Sequence, residues 1–291
     1  MLKTPLGYSI SVEKRIHPEA SQMVIIASAT GVVKEFYKHF AAYLFDNGLS
    51  VVTFDYGGIG KSKPISLRSF STTAQRWATN DLETVITHIK EEFPDMPLTL
   101  LGHSIGGQLI GLTPSSLRAS GIILVGAQSG YYKFWPVPER WKMLLAWKVL
   151  FPAFHSALGY IPTHRFTPME DLPGGMAMEW RKWCLSPQYL FDHVEESGLY
   201  FDKIRVPLYS YSTDRDKFAT AASTDWLTAK YSNARTERIH LKPEDYGVKS
   251  IGHFGYFQKR CSHSVWPELL ARIVGMNSVR SSTIRPSTSS G

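Results

Sequence analysis

The sequence predicts an α/β fold, a mainly parallel sheet flanked by helices and carrying an inserted helical cap, and three observations predict it. Short apolar runs alternate with amphipathic segments of helical length through most of the chain, the pattern of strand–helix–strand crossovers. Those runs are apolar at nearly every position rather than every second one, as parallel strands covered on both faces require. One stretch, residues 128–191, leaves that rhythm and turns rich in Trp, Tyr, Phe and Pro. Long insertions between core elements are commonly functional, often as lids.

Taken in order, Met23 to Ala29 (MVIIASA) reads as the first buried strand. Val33 to Asn47 has helical spacing, with Phe36, Phe40, Tyr43 and Leu44 on one stripe and Gly48 as the cap that ends it. Leu49 to Tyr56 (LSVVTFDY) is the second strand. Thr72 to Phe93 reads as one long amphipathic helix stopped by Pro94. Leu98 to Gly102 is the third strand, and Ser104 opens the helix after it. Gly121 to Gly126, Val206 to Ser212 and Ala234 to Leu241 complete the strands, and Val265 to Val274 is the closing helix. The expected organisation is a core of 1–127 and 192–276 and a cap of 128–191. A disordered tail is expected over 277–291, where Ser, Thr, Arg and Pro replace apolar residues.

Composition narrows the function classes. The 291 residues are 43% hydrophobic, enough apolar content to fold as a globular domain. The formal charge of +7 is spread out, and its densest spots, Lys14-Arg15 and Lys259-Arg260, are isolated pairs. Without a basic stripe or a reading motif, a nucleic-acid partner is not expected, and membrane association is left open. Cys184 and Cys261 are the two cysteines. With no signal-peptide core near Met1 and no apolar run of spanning length, a cytoplasmic setting is expected and no transmembrane segment. No cysteine or histidine set has metal-ligand spacing, so neither a metal nor another cofactor is expected.

The strongest chemical signal is Gly102-His103-Ser104-Ile105-Gly106, a G-x-S-x-G pattern directly after a strand and directly before a helix. So tight a turn lifts the serine hydroxyl above the sheet, and its flanking positions leave no room for side chains. The helix that follows points its positive end at the site, and the Ile105 N–H is placed to bind an oxyanion. A rival motif fails. Gly60-Lys61-Ser62 ends like a phosphate-binding loop, but the required earlier glycine is Asp55, and Pro64 blocks the following helix.

A serine nucleophile needs a base, and the base an orienting acid; in chain order these follow the serine as acid and then histidine. Of the ten histidines, His240 lies inside the last strand and reads as packing or surface, and His263 reads as exposed. His253, in the glycine-flanked loop Ser250-Ile251-Gly252-His253-Phe254-Gly255, is the candidate base. Asp216, just past the fifth strand, is the preferred acid, with Asp214 as the alternative. The second oxyanion donor is bracketed by Thr30, Gly31 and Val32, the loop after the first strand. Asp55, Asp81 and His103 read as structural. Trp135, Trp141, Trp180 and Trp183 make the cap aromatic and are the candidate substrate contacts, against the plainer reading that they build the cap's own core.

The elbow GHSIGG, the DYGGIGKS turn, the Asp216 loop and SIGHFG together resemble the α/β-hydrolase superfamily over residues 8–275. The stretches SATGVVKEFY, GYIPTHRF, EDLPGGMAMEWRKWC and GHFGYF are similar to a bacterial and fungal branch near the lysophospholipase-like and serine-aminopeptidase-like groups. That resemblance implies an α/β-hydrolase fold, a triad of Ser104, Asp216 and His253, and a Thr-Gly loop where many relatives have His-Gly. It implies little about substrate, since the fold hosts many activities. The expected activity is a serine hydrolase cleaving an ester of an apolar or aromatic small molecule. The rivals are an amidase or serine aminopeptidase, for which Glu139, Glu170, Asp171 and Glu179 of the cap offer carboxylates to a free amino terminus, and a non-catalytic ligand-binding protein. Lyase or cofactor-free oxygenase chemistry on the same triad is a further alternative.

Overall fold

Apolar runs become central strands here because each feeds two cores at once. In Met23–Ala27, the side chains of Met23, Ile25 and Ala27 enter one buried cluster and those of Val24 and Ile26 the other. The same alternation runs through Ile122, Leu124 on one face and Ile123, Val125 on the other, as the two-residue period of a strand dictates. The computed structural model describes residues 1–283. Its main sheet comprises Val12–Arg15 (β1), Met23–Ala27 (β2), Ser50–Phe54 (β3), Leu98–His103 (β4), Gly121–Val125 (β5), Pro207–Thr213 (β6) and Arg235–Leu241 (β7). The order is β7-β6-β5-β4-β2-β3-β1, parallel throughout except for β1 against β3. The sheet edge β1 was not legible as a strand: its sequence, Val-Glu-Lys-Arg, is short and half exposed.

Helices cover both faces. Lys38–Asp46 (α1) sets Phe40, Ala41 and Leu44 against one face, with the closing helix beside it. Thr72–Phe93 is not one continuous α-helix. It is a turn at Ala74–Arg76 capped by the Thr73 side chain, a π-type segment at Trp77–Leu82, and then Glu83–Glu92 (α2). The wide segment buries Trp77, Ala78, Asn80, Asp81 and Leu82, more of its circumference than a regular α-helix presents to a core. Asp81 explains why: its carboxylate accepts the Tyr8 hydroxyl at 2.5 Å and the Gly57 N–H at 2.7 Å, tying the N-terminal segment and the glycine turn to this helix. Burial pushes that carboxyl up to about 6.

Ile105–Ile110 (α3) follows β4. Between β5 and β6 lie Val137–Leu145 (α4), a π-type turn at Ala146–Leu150, Phe151–Leu158 (α5) and Gly174–Leu185 (α6), with a two-residue antiparallel pairing of Tyr160–Ile161 and Leu172–Pro173. Trp147, Met176, Trp183 and Cys184 of this insertion belong to the same buried cluster as the sheet residues, so its apolar interior is continuous with the core. Ala221–Thr228 (α7), Gly252–Gly255 (α8) and Val265–Thr283 (α9) complete the chain. Helix α9 takes in the first residues of the segment read as a tail from 277; residues 284–291 lie outside the described residues. Cys184 and Cys261 are both buried free thiols. Among the described residues no helix is long and apolar enough to cross a membrane.

Candidate active site

Parallel strands end together, and the loops at the C-terminal ends of β2, β4, β6 and β7 carry the candidate residues. The register sets Ala27 beside Gly102 and His103 beside Val125, so the oxyanion-side loop and the elbow leave the sheet at one level. Ser104 has φ 54° and ψ −120°, outside the regions that side chains favour. Its N–H still donates to Val125 O at 3.0 Å, which holds the strained residue against the sheet.

The glycines around it are steric requirements. A Cβ on Gly102 would sit 2.4 Å from Gly107 Cα, and one on Gly106 would sit 2.1 Å from Ala27 O. Gly107, which the pattern does not demand, is equally confined, with Ala127 Cβ at 2.5 Å from its missing Cβ. Gly106→Ala is therefore expected to cost more than about 4 kcal/mol, or to prevent soluble expression, because the helix that starts at Ile105 must move off the Ala27 backbone. Gly275→Ala, a helical position with open space around the new Cβ, is the control and is expected to be neutral or stabilising in urea unfolding.

His253 is buried, and its Nδ1 lies 2.9 Å from Asp216 Oδ2. The other oxygen of Asp216 accepts the N–H groups of Phe218 and Ala219, each at 2.9 Å, which fixes the carboxylate's plane. A carboxylate accepts only, so Nδ1 carries the proton and Nε2 is left as the basic nitrogen. Gly126, with φ +55°, lies along this pair: its missing Cβ would stand 3.3 Å from His253 Nδ1. Asp214 faces elsewhere and meets His240 Nε2 at 2.9 Å in an exposed pair.

His240 Nδ1 in turn lies 2.6 Å from Ser212 Oγ, giving a second Ser–His–Asp chain. Ser212 is fully buried inside β6 and its Oγ accepts from Arg238 Nη2 at 2.5 Å, so it has neither a substrate approach nor an elbow. His263 is exposed.

A buried relay ties the three loops together. His103 Nε2 lies 2.9 Å from the His253 carbonyl, which accepts only, so Nε2 is the protonated nitrogen. His103 Nδ1 then accepts the Tyr37 hydroxyl at 2.8 Å, and Tyr37 Oη accepts the Ala29 N–H at 3.0 Å. Burial, and then the neighbouring His253, hold the His103 imidazole well below its usual range, so the ring is neutral. Tyr37 lies outside the stripe of Phe36, Phe40, Tyr43 and Leu44, and nothing in the spacing marks its hydroxyl. Tyr37→Phe leaves the Ala29 N–H and His103 Nδ1 buried without partners. It is expected to lower unfolding stability by about 1–3 kcal/mol in urea titration, whereas a change under about 0.5 kcal/mol would show the relay to be dispensable.

The bracketed oxyanion loop narrows in the same way. Val32 N–H donates to Ala29 O at 3.1 Å, leaving Thr30 and Gly31 as the donors to consider. Gly31 has φ +65°, and the insertion lies on it: Glu170 N–H donates to Gly31 O at 2.8 Å, and a Cβ there would meet Met169 at 3.1 Å. Ile105 begins α3, where the first N–H groups of a helix have no partner within it.

The four tryptophans separate. Trp135 packs on Phe218 (ring centres 5.6 Å apart), and Phe218 packs on His253 at 5.3 Å. Trp147 joins Trp135 to Trp180, whose Nε1 donates to Tyr189 Oη at 3.1 Å; that hydroxyl donates to Gln108 Oε1 at 2.7 Å on α3. Trp183 is wholly buried behind Tyr189, a core residue. Trp141 points outward and is 66% exposed, away from the others, because six residues along a helix from Trp141 to Trp147 is well short of two full turns. Phe218 and Gly126 had no pattern in the sequence that singled them out.

The Gly60-Lys61-Ser62 turn holds a carboxylate instead of a phosphate. Asp55 accepts the N–H groups of Lys34 at 2.7 Å and Lys61 at 3.0 Å, and its Oδ2 would lie 2.7 Å from a Cβ on Gly60. The N–H groups of Lys61 and Ser62 are used internally.

Residues 18–167 match the family described as serine aminopeptidase, S33. That match includes Ser104 and stops before Asp216 and His253. Among solved structures, a monoacylglycerol lipase from Paleococcus ferrophilus superposes with a TM-score of 0.62 at 15% identity, covering 92% of this chain and 99% of that one. A Pyrococcus furiosus esterase gives 0.61 at 15% identity, covering 96% and 89%. An esterase from Exiguobacterium antarcticum gives 0.59 at 18% identity, covering 94% and 98%. At such identities the likeness establishes the α/β-hydrolase fold.

Proposed function

The chain belongs to the serine aminopeptidase S33 family and is a serine hydrolase, and from that premise we propose that it cleaves carboxylic esters through an acyl-enzyme on Ser104. The observation that carries the reading is the buried 2.9 Å contact of His253 Nδ1 with Asp216, on a loop bonded to the residue next to Ser104. In this mechanism Asp216 holds His253 with Nε2 free to take the Ser104 proton. Oγ attacks the ester carbonyl, and the oxyanion is met by the Ile105 N–H and by that of Thr30 or Gly31. His253 then gives its proton to the leaving alkoxide, and water, activated the same way, releases the acid. Residues 128–191 act as the cap, with Trp135, Trp180 and Phe218 offering an apolar, aromatic wall to the acyl or alcohol group. The substrate is a small molecule and the chemistry needs no cofactor. Two buried free thiols fit a cytoplasmic protein.

Ester is preferred to aminopeptidase on the state of the cap's carboxylates. Glu139 pairs with Lys217 at 3.0 Å, Glu170 with Lys63, and Asp171 with His164 at 2.5 Å, while Glu179 accepts the Gln75 N–H at 2.7 Å. Each therefore already answers a cation or an N–H, and none stands as an unpartnered anion for a free ammonium. A panel of p-nitrophenyl esters and amino-acid arylamides is expected to show turnover of the esters alone, abolished by prior fluorophosphonate treatment. Arylamide hydrolysis without ester turnover would reverse the assignment, and a folded protein that neither reacts with fluorophosphonate nor turns over either panel would make it a ligand-binding member of the fold.

A further inference from the structure

Amphipathic helices in a folded protein turn their apolar side inward; α4 and the π-type turn after it also carry one outward. Val137, Trp141, Leu145 and Val149 recur every four residues and are 59%, 66%, 55% and 52% exposed. A four-residue step advances slightly more than one turn in an α-helix and slightly less in a π-type turn. The switch at Ala146–Leu150 therefore brings Val149 back into line with the residues before it. Leu150 adds to the stripe's end. The opposite side supplies the interior with Trp147, so the segment is apolar on two faces and only one is covered.

Charge identifies what would cover the other. From Lys133 through the end of the π-type turn the chain carries Lys133, Arg140, Lys142 and Lys148 against a single acid, Glu139, so the segment that bears the stripe is basic. Glu139 is itself held by Lys217. Lys142 and Lys148 are exposed, each beside a stripe residue, and Lys133 is exposed just before α4. An apolar stripe with Trp and Leu at its centre and lysines along its margins has the chemistry of a helix lying in the interface of an anionic bilayer. A second copy of the chain is a poorer occupant, since a two-fold contact on this face would set its lysines against their own copies.

We propose that the outer face of α4 and the following turn docks this protein on anionic phospholipid membranes, with Val137, Trp141, Leu145 and Val149 entering the headgroup–acyl boundary and Lys142 and Lys148 meeting the headgroups. The site rests on the exposed surface alone and is independent of the chemistry at Ser104.

Co-sedimentation of the full chain with vesicles tests it, using phosphatidylcholine alone or mixed in equal parts with phosphatidylglycerol. Binding is expected to the mixed vesicles, weakened by salt. Partitioning is expected to fall roughly tenfold or more in Lys142→Glu/Lys148→Glu and again in Trp141→Asp/Leu145→Asp. All four positions are exposed, so both variants should keep the unmutated thermal midpoint and far-ultraviolet dichroism. Sedimentation velocity without lipid is expected to show no self-association dependent on the stripe. Failure of the folded, unmutated chain to sediment with mixed vesicles overturns the proposal. So does equal binding by the variants, or a dimer that Trp141→Asp/Leu145→Asp dissociates.

Discussion

Ser104→Ala is expected to abolish reaction with a fluorophosphonate and to lower kcat for ester hydrolysis by roughly a million-fold, with the fold unchanged. Ser104 sits at φ 54° and ψ −120°, a conformation unfavourable to any side chain with a Cβ. Alanine carries the same Cβ, so the exchange adds no backbone strain, and among the described residues no hydrogen bond of the fold depends on Oγ. The change is therefore one of chemistry, and an unmutated thermal midpoint beside lost labelling is its signature. Intact-mass detection of the phosphonyl adduct reads the first quantity and initial-rate kinetics the second. Stoichiometric labelling of Ser104→Ala would place the nucleophile elsewhere.

The second large effect separates two carboxylates that stand two positions apart. Asp216→Asn is expected to lower kcat by about 10⁴-fold, because an amide nitrogen at Oδ2 would face His253 Nδ1 and force the ring into the wrong tautomer. Asp214→Asn is expected to leave kcat and KM nearly unchanged, since its partner is His240 on the exposed side of β7. The pair of variants is internally controlled: both exchange one oxygen for nitrogen on the same loop. Equal losses would mean that the loop, and not the Asp216 carboxylate, supports activity.

The sequence preferred Asp216 and left Asp214 as the alternative; the tertiary structure gives each its own histidine. Arg215 between them has φ +62°, a left-handed turn, and on either side of it Asp214 meets His240 and Asp216 meets His253. Arginine gives no warning of such a turn, as a glycine would. For the same reason neither the chain Asp214–His240–Ser212 nor the Tyr37 hydroxyl between Ala29 and His103 was visible in the sequence.

What the sequence determined by itself is what contiguous residues dictate. The buried runs of β2 to β6, the α/β alternation and the elbow at Gly102–Gly106 follow from apolar pattern and from steric demands within a few residues of one another. The tertiary structure alone decided which side chains meet across long separations. It chose which of two aspartates faces His253, set Trp135 toward it through Phe218, buried Trp183 and turned Trp141 out. Periodicity fixes a residue's angle around its own helix, but its partner is fixed by where distant elements pack, and that information is in no single stretch of chain.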